Sequence, residues 1–207
     1  MIAVFVLIAY LLGSIPNSVW IGKYFYNIDV REFGSGNAGA TNTFRVLGKK
    51  AGIPVLIFDI LKGTLAVALS YFSGFGTHSD EFINLQLGLG VAALIGHIFP
   101  VFAGFRGGKG VATILGIVIC ILPLACSLSL GVFLFVLLSS RIVSLSSMVA
   151  GISFPIFLNL VLGNTNPILT VFSIIVSTLL IITHRKNIQR LLKKEETKVR
   201  LFPVKNK

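Results

Sequence analysis

Two glycine-rich segments hold most of the residues whose types and spacing can do chemistry: GSGNAGATNTFR over 34–45 and FRGGKGVAT over 105–113. In the second, Gly107, Gly108 and Gly110 leave the backbone bare enough for N–H groups to approach an anion, and Lys109 sets a positive charge among them. The apolar run that follows opens a helix, whose N-terminus favours negative charge. A nucleotide phosphate loop is excluded, because Gly110 stands where a Ser or Thr would hold magnesium. The pattern suits a phosphate that brings neither a nucleoside nor a bound metal. Helix packing through small residues is the competing reading of the glycines. Lys109 between them, and the second glycine-rich segment, favour phosphate.

In the first segment, Ser35, Asn37, Thr41 and Asn42 place neutral hydrogen-bonding groups among Gly34, Gly36 and Gly39. Arg45 can grip a phosphate through two parallel hydrogen bonds; taken alone it is equally a positive anchor at a membrane surface. Gly34, Gly36 and Gly39 also satisfy a dinucleotide-binding fingerprint, with Asp59 about 20 residues on. That fingerprint needs a strand before the loop. Here an apolar span precedes it, and Asp59 lies deep in another, so the match is fortuitous. Ser35 is a poor nucleophile-elbow residue, because Phe33 sits where G-x-S-x-G needs its first glycine.

Two further polar segments are RIVSLSS over 141–147, with Ser144 and Ser147, and THRKNIQR over 183–190. His184 and Asn187 are three apart and share a helical face. His184 can act as a base or bind phosphate when protonated, or be an interfacial histidine only. Arg185, Lys186, Arg190, Lys193 and Lys194 read as a basic surface resting on anionic lipid. His97, three residues before Pro100, reads as a structural helix-end residue, and His78 as a solvated loop residue. Asp59 and Lys62 each cost about 2.5–3.5 kcal/mol alone at the centre of a membrane helix. Their spacing permits pairing, so they read as a structural pair rather than a proton or substrate path.

The elements that must position these groups are membrane spans. Of 207 residues, 55% are hydrophobic and 12% charged, and the mean hydropathy is +0.92. That composition lacks the polar surface a soluble domain needs. Apolar runs cover 2–21, 51–72, 85–102, 111–138, 142–162 and 168–183. The ordinary runs have the roughly 20 residues that cross a hydrocarbon core of about 30 Å. No cationic region precedes the first, so it reads as a span rather than a removable signal peptide. Cys120 and Cys126, on either side of Pro123, read as small buried hydrophobes. No metal-ligand cluster is evident, and neither metal nor cofactor is expected.

The net charge of +11 matters through its placement. Lys23, Arg31, Arg45, Lys49 and Lys50 lie between the first two runs, Arg106 and Lys109 after the third, Arg141 after the long run, and nine more between 185 and 207. Cytoplasmic loops collect Lys and Arg, which places the N-terminus outside. As one span, 111–138 would strand Arg141 and the basic tail outside. As two short spans broken near Pro123, which lacks an N–H, it keeps every basic segment inside. The expected fold is therefore an all-α integral membrane protein of seven transmembrane helices, the fourth and fifth short, with the N-terminus outside and the C-terminus cytoplasmic. It reads as one polytopic domain, 1–207, with a short basic tail from about 184. All four polar segments then reach one face and can converge on one site.

The sequence resembles the bacterial acyl-phosphate:glycerol-3-phosphate acyltransferases, the PlsY family. The resemblance is carried by GSIPNS at 13–18, GSGNAGATN at 34–42, FDILKG at 58–63, GHIFPVFAGFRGGKGVAT at 96–113, RIVSLSS at 141–147 and HRKNIQRLL at 184–192. One departure bears on the tail turn: the family pattern has a glycine shortly after the Arg-Leu pair, and here Lys194 occupies that place, two residues before Glu196. The resemblance implies an enzyme of the bacterial cytoplasmic (inner) membrane, multi-pass, with its active site on the cytoplasmic side. It would move a fatty acyl group from acyl phosphate to the sn-1 hydroxyl of glycerol 3-phosphate, giving lysophosphatidic acid and inorganic phosphate. Its partners would be those two substrates and membrane lipid. Nucleic acid would have no part, and neither acyl-CoA nor acyl carrier protein would be the direct donor. The candidate catalytic residues are Ser35, Lys109, His184 and Asn187. The candidate substrate-binding residues are Gly36, Asn37, Thr41, Asn42, Arg45, Gly107, Gly108, Gly110, Ser144 and Ser147.

Two phosphate-bearing substrates need two anion sites, which the two glycine-rich segments can supply. The acyltransferase box of His followed five residues later by Asp is absent: Ile83, Phe102 and Gln189 stand at that distance from His78, His97 and His184. The attacking hydroxyl needs a proton acceptor, either His184 or a phosphate oxygen of the donor. The second is favoured, because no carboxylate that would orient His184 is identifiable. An organic-phosphate transporter would use similar cationic loops. Against it stand the gathering of polar groups at one face and the lack of a visible repeat.

Overall fold

In the computed structural model, residues 1–77 and 79–199 are described. His78 and the basic residues beyond 199 lie outside them. Every regular element among the described residues is helical: α1 (Ile2–Gly13), α2 (Asn17–Tyr26), α3 (Ala40–Leu47), α4 (Lys49–Ala68), α5 (Asp80–Ile98), α6 (Val111–Ile121), α7 (Pro123–Ser140), α8 (Val143–Ile156), α9 (Pro167–Thr183) and α10 (Arg185–Leu192). They form two compact units, Met1–Pro123 and Leu124–Lys207.

Four helical stretches among the described residues are long and apolar enough to cross a membrane: Lys49–Phe72, Asp80–Ala103, Pro123–Ser140 and Val143–Val161. The bent pairs α1–α2 (43°) and α9–α10 (58°) raise the number to as many as six. The expected break falls at Pro123, but its halves are unequal. Helix α6 has 11 residues, about 17 Å of rise against a core of about 30 Å. Helix α7 has 18 residues and is not short. Pro123 is the first residue of α7 rather than a kink inside a helix, and there its missing N–H removes no helical hydrogen bond.

In the first unit, Pro16 separates α1 from α2. It disfavours the helical conformation for Ile15 and cannot donate a hydrogen bond. The backbones of α4 and α6 touch: a side-chain carbon on Gly63 would run into the Thr113 carbonyl, and one on Gly116 into that of Ile60. Helices in lipid associate through such close packing of small residues. Ala9, Ala66, Leu89 and Ala93 fill the seam that also includes α1 and α5. Leu7, Phe58, Leu65 and Ile95 are exposed, whereas Asp59, Lys62 and His97 are buried. That inverted pattern suits a hydrocarbon solvent. The third run starts earlier than its apolar residues indicate, because the Ser79 hydroxyl accepts from Phe82 N (3.2 Å) and caps α5 ahead of Asp80 and Glu81.

In the second unit, Asn166 caps α9 through Ile168 N and Leu169 N. The tail departure is resolved after α10. Lys194 takes the left-handed conformation (φ 61°), while Glu195 N donates to Arg190 O (2.8 Å) and Lys194 N to Leu191 O (3.0 Å). That is the hydrogen-bond pattern of a glycine-terminated helix. The turn thus forms with lysine in the glycine position, at a strain of about 1–2 kcal/mol. The cysteines differ from expectation: Cys126 is buried, but Cys120 is exposed on α6.

Candidate active site

The segment 34–45 is organised around Asn42 rather than presenting it. Asn42 is 1% exposed. Its Oδ1 accepts from Ser35 N (2.8 Å) and Ser35 Oγ (3.1 Å), and its Nδ2 donates to Val30 O (2.7 Å) and Phe33 O (3.1 Å). All its polar capacity therefore goes into shaping the loop, and it holds Ser35 in place. Gly34 and Gly36 adopt left-handed conformations, which only glycine takes without strain. Asn37 is half-buried beside Gly39, the residue before α3. Thr41 and Arg45 are exposed on α3.

The 107–110 loop lies against the end of α5. Gly107 N donates to Ile98 O (3.2 Å) and Gly108 N to His97 O (3.1 Å). Those two amides are therefore occupied by carbonyls left over at the helix end, contrary to the expectation that they face an anion. Their glycines serve close approach instead: a side chain on Gly107 would meet the His97 carbonyl, and one on Gly108 the His97 ring. On the phosphate reading, an anion here would be met by Lys109 and by the first-turn N–H groups of α6, which have no intrahelical acceptor. Gly110 caps α6 in a left-handed conformation (φ 84°). The two glycine-rich segments meet here, since a side-chain carbon on Gly108 would also lie 2.8 Å from Ala38 O.

Arg31, which the sequence marks only as one more basic loop residue, braces this junction. Its guanidinium takes Asp29 as a fork (2.9 and 2.7 Å) and donates from Nη1 to Ala103 O (2.8 Å) and Arg106 O (3.4 Å). The Arg31 hydrogen bonds hold the Asp29 carboxyl well below the usual carboxylate range, against the opposing effect of burial. Behind the loop, Asp59 and Lys62 pair at 3.0 Å as their spacing predicts. They are joined by half-buried Asn17 and by buried His97, so His97 is more than a helix end.

In the second unit, His184 and Asn187 are buried at the α9–α10 bend. His184 Nδ1 lies 2.7 Å from Leu180 O. A carbonyl only accepts, so Nδ1 carries the proton. Glu196 forms the clasp that sequence reasoning missed. Its Oε1 accepts from Asn187 Nδ2 (2.8 Å) and Ser144 Oγ (3.1 Å), and its Oε2 from Arg190 Nε (2.8 Å). Ser147 instead donates back to Val143 O (2.9 Å) within α8. Burial pushes the Glu196 carboxyl up, but the hydrogen bonds from Arg190, Asn187 and Ser144 outweigh it and hold the group below its ordinary value. A depressed folded-state value means that the clasp's full contribution is present above the unfolded carboxyl pKa of about 4.3 and is lost as pH falls through the lower folded value. Thermal melts of the detergent-solubilised protein should therefore show an acid-side loss of stability that Glu196→Gln largely removes.

A family profile described as glycerol-3-phosphate acyltransferase matches residues 3–194. The chain belongs to this PlsY family. Among its relatives, the glycerol-3-phosphate acyltransferase of Enterococcus faecalis is 47% identical over 197 residues, covering 92% of this chain and 88% of the relative. That of Listeria welshimeri is 47% identical over 194 residues, covering 94% of each. Two solved structures of PlsY, an integral membrane glycerol 3-phosphate acyltransferase, are each 41% identical to the chain. The glycerol 3-phosphate form superposes with a TM-score of 0.85, covering 96% of both chains. The lysophosphatidic acid form gives 0.83, covering 96% of this chain and 95% of that one. The transporter reading finds no support in these similarities. In this member of the acyltransferase family, then, the glycine-rich segments, the Arg31 brace and the Glu196 clasp are parts of an acyltransferase scaffold. The sequence signals for the last two were a charged pair two residues apart, Asp29-x-Arg31, and an acid following the tail turn.

Proposed function

We propose that the protein transfers a fatty acyl group from acyl phosphate to the sn-1 hydroxyl of glycerol 3-phosphate. The observation that carries this reading is the meeting of the two glycine-rich segments at Ala38 and Gly108, which sets the Arg45-bearing and Lys109-bearing segments side by side. Two phosphate-bearing substrates require two such cationic, glycine-lined segments. The acceptor's hydroxyl oxygen bonds to the acyl carbonyl carbon, the carbon–oxygen bond to the donor phosphate breaks, and phosphate leaves with the electron pair and takes up the hydroxyl proton. Acyl phosphate is already activated, so no strong protein acid is needed. The test is conversion by the full-length protein in detergent, with palmitoyl phosphate and labelled glycerol 3-phosphate. Lysophosphatidic acid and inorganic phosphate are the expected products. Product from palmitoyl-CoA alone would overturn the donor, and uptake of glycerol phosphate into sealed vesicles without conversion would overturn the enzyme.

His184 is assigned to binding, with a donor phosphate oxygen as the proton acceptor. The support is that His184 Nδ1 donates to a neutral carbonyl, that of Leu180. A general base contributes typically about 10²–10⁴-fold. His184→Gln should therefore keep much of its kcat at saturating substrate, and its pH–rate profile should still show an ionisation near pH 6, roughly that of a phosphomonoester. A fall of about two decades in kcat, the low end of a general base's contribution, with loss of that ionisation would make His184 the base.

The proposed topology is seven spans in the bacterial inner membrane, with the N-terminus outside and the 105–113 segment cytoplasmic, as the placement of Lys and Arg favours. Single cysteines at Arg106 and Thr77, both exposed positions, should label from opposite sides of intact cells. Gly107 is unsuitable for this purpose, because it has no room for a side chain. Labelling of both from outside would reject the orientation.

A further inference from the structure

We propose that the cluster of half-buried Asn17 with buried Asp59, Lys62, His97 and Thr113 is a positioning device for Lys109, acting through the His97 imidazole. The inference deepens the assignment of the 107–110 loop to phosphate and rests on it.

The cluster lies inside the first unit, and its members come from α2, α4, α5 and α6. Asp59, Lys62, His97 and Thr113 are 2%, 5%, 5% and 0% exposed. The Asp59 carboxylate, on α4, accepts from Asn17 Nδ2 of α2 (2.9 Å) and pairs with Lys62 (3.0 Å). Lys62 also donates to Ile15 O (2.9 Å), a carbonyl in the break that Pro16 makes between α1 and α2. His97 Nδ1 is 3.8 Å from the same carboxylate oxygen and 3.1 Å from Thr113 Oγ1, in the first turn of α6. The carboxylate thus joins groups of α2, α4 and α5, and His97 carries the contact on to α6.

His97 holds the loop on both flanks. Its carbonyl accepts Gly108 N (3.1 Å), and its Nε2 edge packs so closely on Gly108 that no side chain fits there. Its other ring nitrogen meets Thr113, four residues beyond Lys109. Lys109 therefore lies between two contact points of one imidazole. If the ring turned, it would press into Gly108 or release Thr113, so the ring angle sets where the Lys109 backbone stands. Thr113 is within hydrogen-bond distance of that ring (3.1 Å), and the Asp59 carboxylate faces the same nitrogen at 3.8 Å. A buried ion pair is a weak source of net stability, because desolvation offsets its attraction. What this pair supplies is direction: each remaining hydrogen bond of Asp59 and Lys62 goes to a different helix end.

The test uses the full-length protein in detergent. The kcat and KM for glycerol 3-phosphate, the inhibition constant of inorganic phosphate and the thermal midpoint are measured together. Thr113→Val keeps the shape and removes the hydroxyl; Thr113→Ser restores it. The double variant Asp59→Asn/Lys62→Met removes both charges, so no lone buried charge remains. A misplacement of about 1 Å costs on the order of 10²-fold in rate, so kcat/KM should fall by about that factor in Thr113→Val and in the double variant. Phosphate inhibition should weaken in parallel, the thermal midpoint should hold, and Thr113→Ser should restore activity. Wild-type kcat/KM and phosphate inhibition in Thr113→Val and the double variant would overturn the inference. If the double variant does not fold, the Thr113 pair decides. Lys109→Ala in the same assay separates the two levels. If it is inactive while Thr113→Val is intact, positioning alone fails. If it retains activity and phosphate inhibition, the phosphate-loop reading fails and the inference with it.

Discussion

Replacing Lys109 with alanine should abolish turnover and leave the protein folded. Two of the three loop glycines give their amide hydrogens to the carbonyls of Ile98 and His97. On the phosphate reading, the loop's hold on an anion would therefore rest on Lys109 and the first turn of α6 more heavily than its glycine content indicates. In the proposed transfer from acyl phosphate the leaving phosphate gains charge, so a fixed cation beside it would stabilise the transition state more than the ground state. Removing one preorganised neutral donor costs about 10²–10³-fold in kcat, and loss of a full charge should reach at least that. Lys109 is half-buried in a loop, outside the helix seams, so the thermal midpoint should change little. Rates of lysophosphatidic acid formation and a melting curve check both halves. A Lys109→Ala variant with wild-type kcat would remove the loop from the reaction.

The second large effect is expected at Arg45. This residue is exposed in the last turn of the short helix α3, whose N-terminus carries the loop ordered by Asn42. If Arg45 grips the phosphate of glycerol 3-phosphate equally in the ground and transition states, Arg45→Ala should raise KM for that substrate and leave kcat almost unchanged. Hydrogen bonds to charged groups contribute about 1.5–3 kcal/mol, which corresponds to a rise of roughly 10–100-fold. Saturation curves for glycerol 3-phosphate at fixed acyl phosphate give the answer. A reduced kcat with an unchanged KM would move Arg45 to the donor.

These two residues were legible in the sequence, and most of what holds them was not. Lys109 and Arg45 stand out because a cation among glycines near a membrane surface is conspicuous in one dimension. Asn42 stands out as a neutral polar residue in the same segment, yet it is an internal brace whose four hydrogen-bond partners lie between 30 and 35. Gly107 and Gly108 have the composition of an anion loop, while their amides serve the end of α5. A glycine required for close packing and one required for anion contact look alike until the neighbouring backbone is known. Glu196 shows the reverse. The sequence marks it only as an acid beyond a missing glycine, and the fold closes it over Ser144, 52 residues away.

By itself the sequence determined the helical membrane class, the apolar segments, the break at Pro123 and the Asp59–Lys62 pair. Each of these follows from local rules: about 20 apolar residues cross a bilayer, proline lacks an N–H, and residues three apart share a helical face. Tertiary structure alone decided which half of the 111–138 run is short, that Lys194 completes a left-handed turn, that Arg31 bridges to Ala103 72 residues away, and that His97 packs on Gly108 and meets Thr113. Those outcomes depend on which backbone groups are left without partners where helices end. A group buried away from water must find an acceptor or donor wherever packing brings one, and that partner's position in the chain follows from the packing, not from sequence spacing.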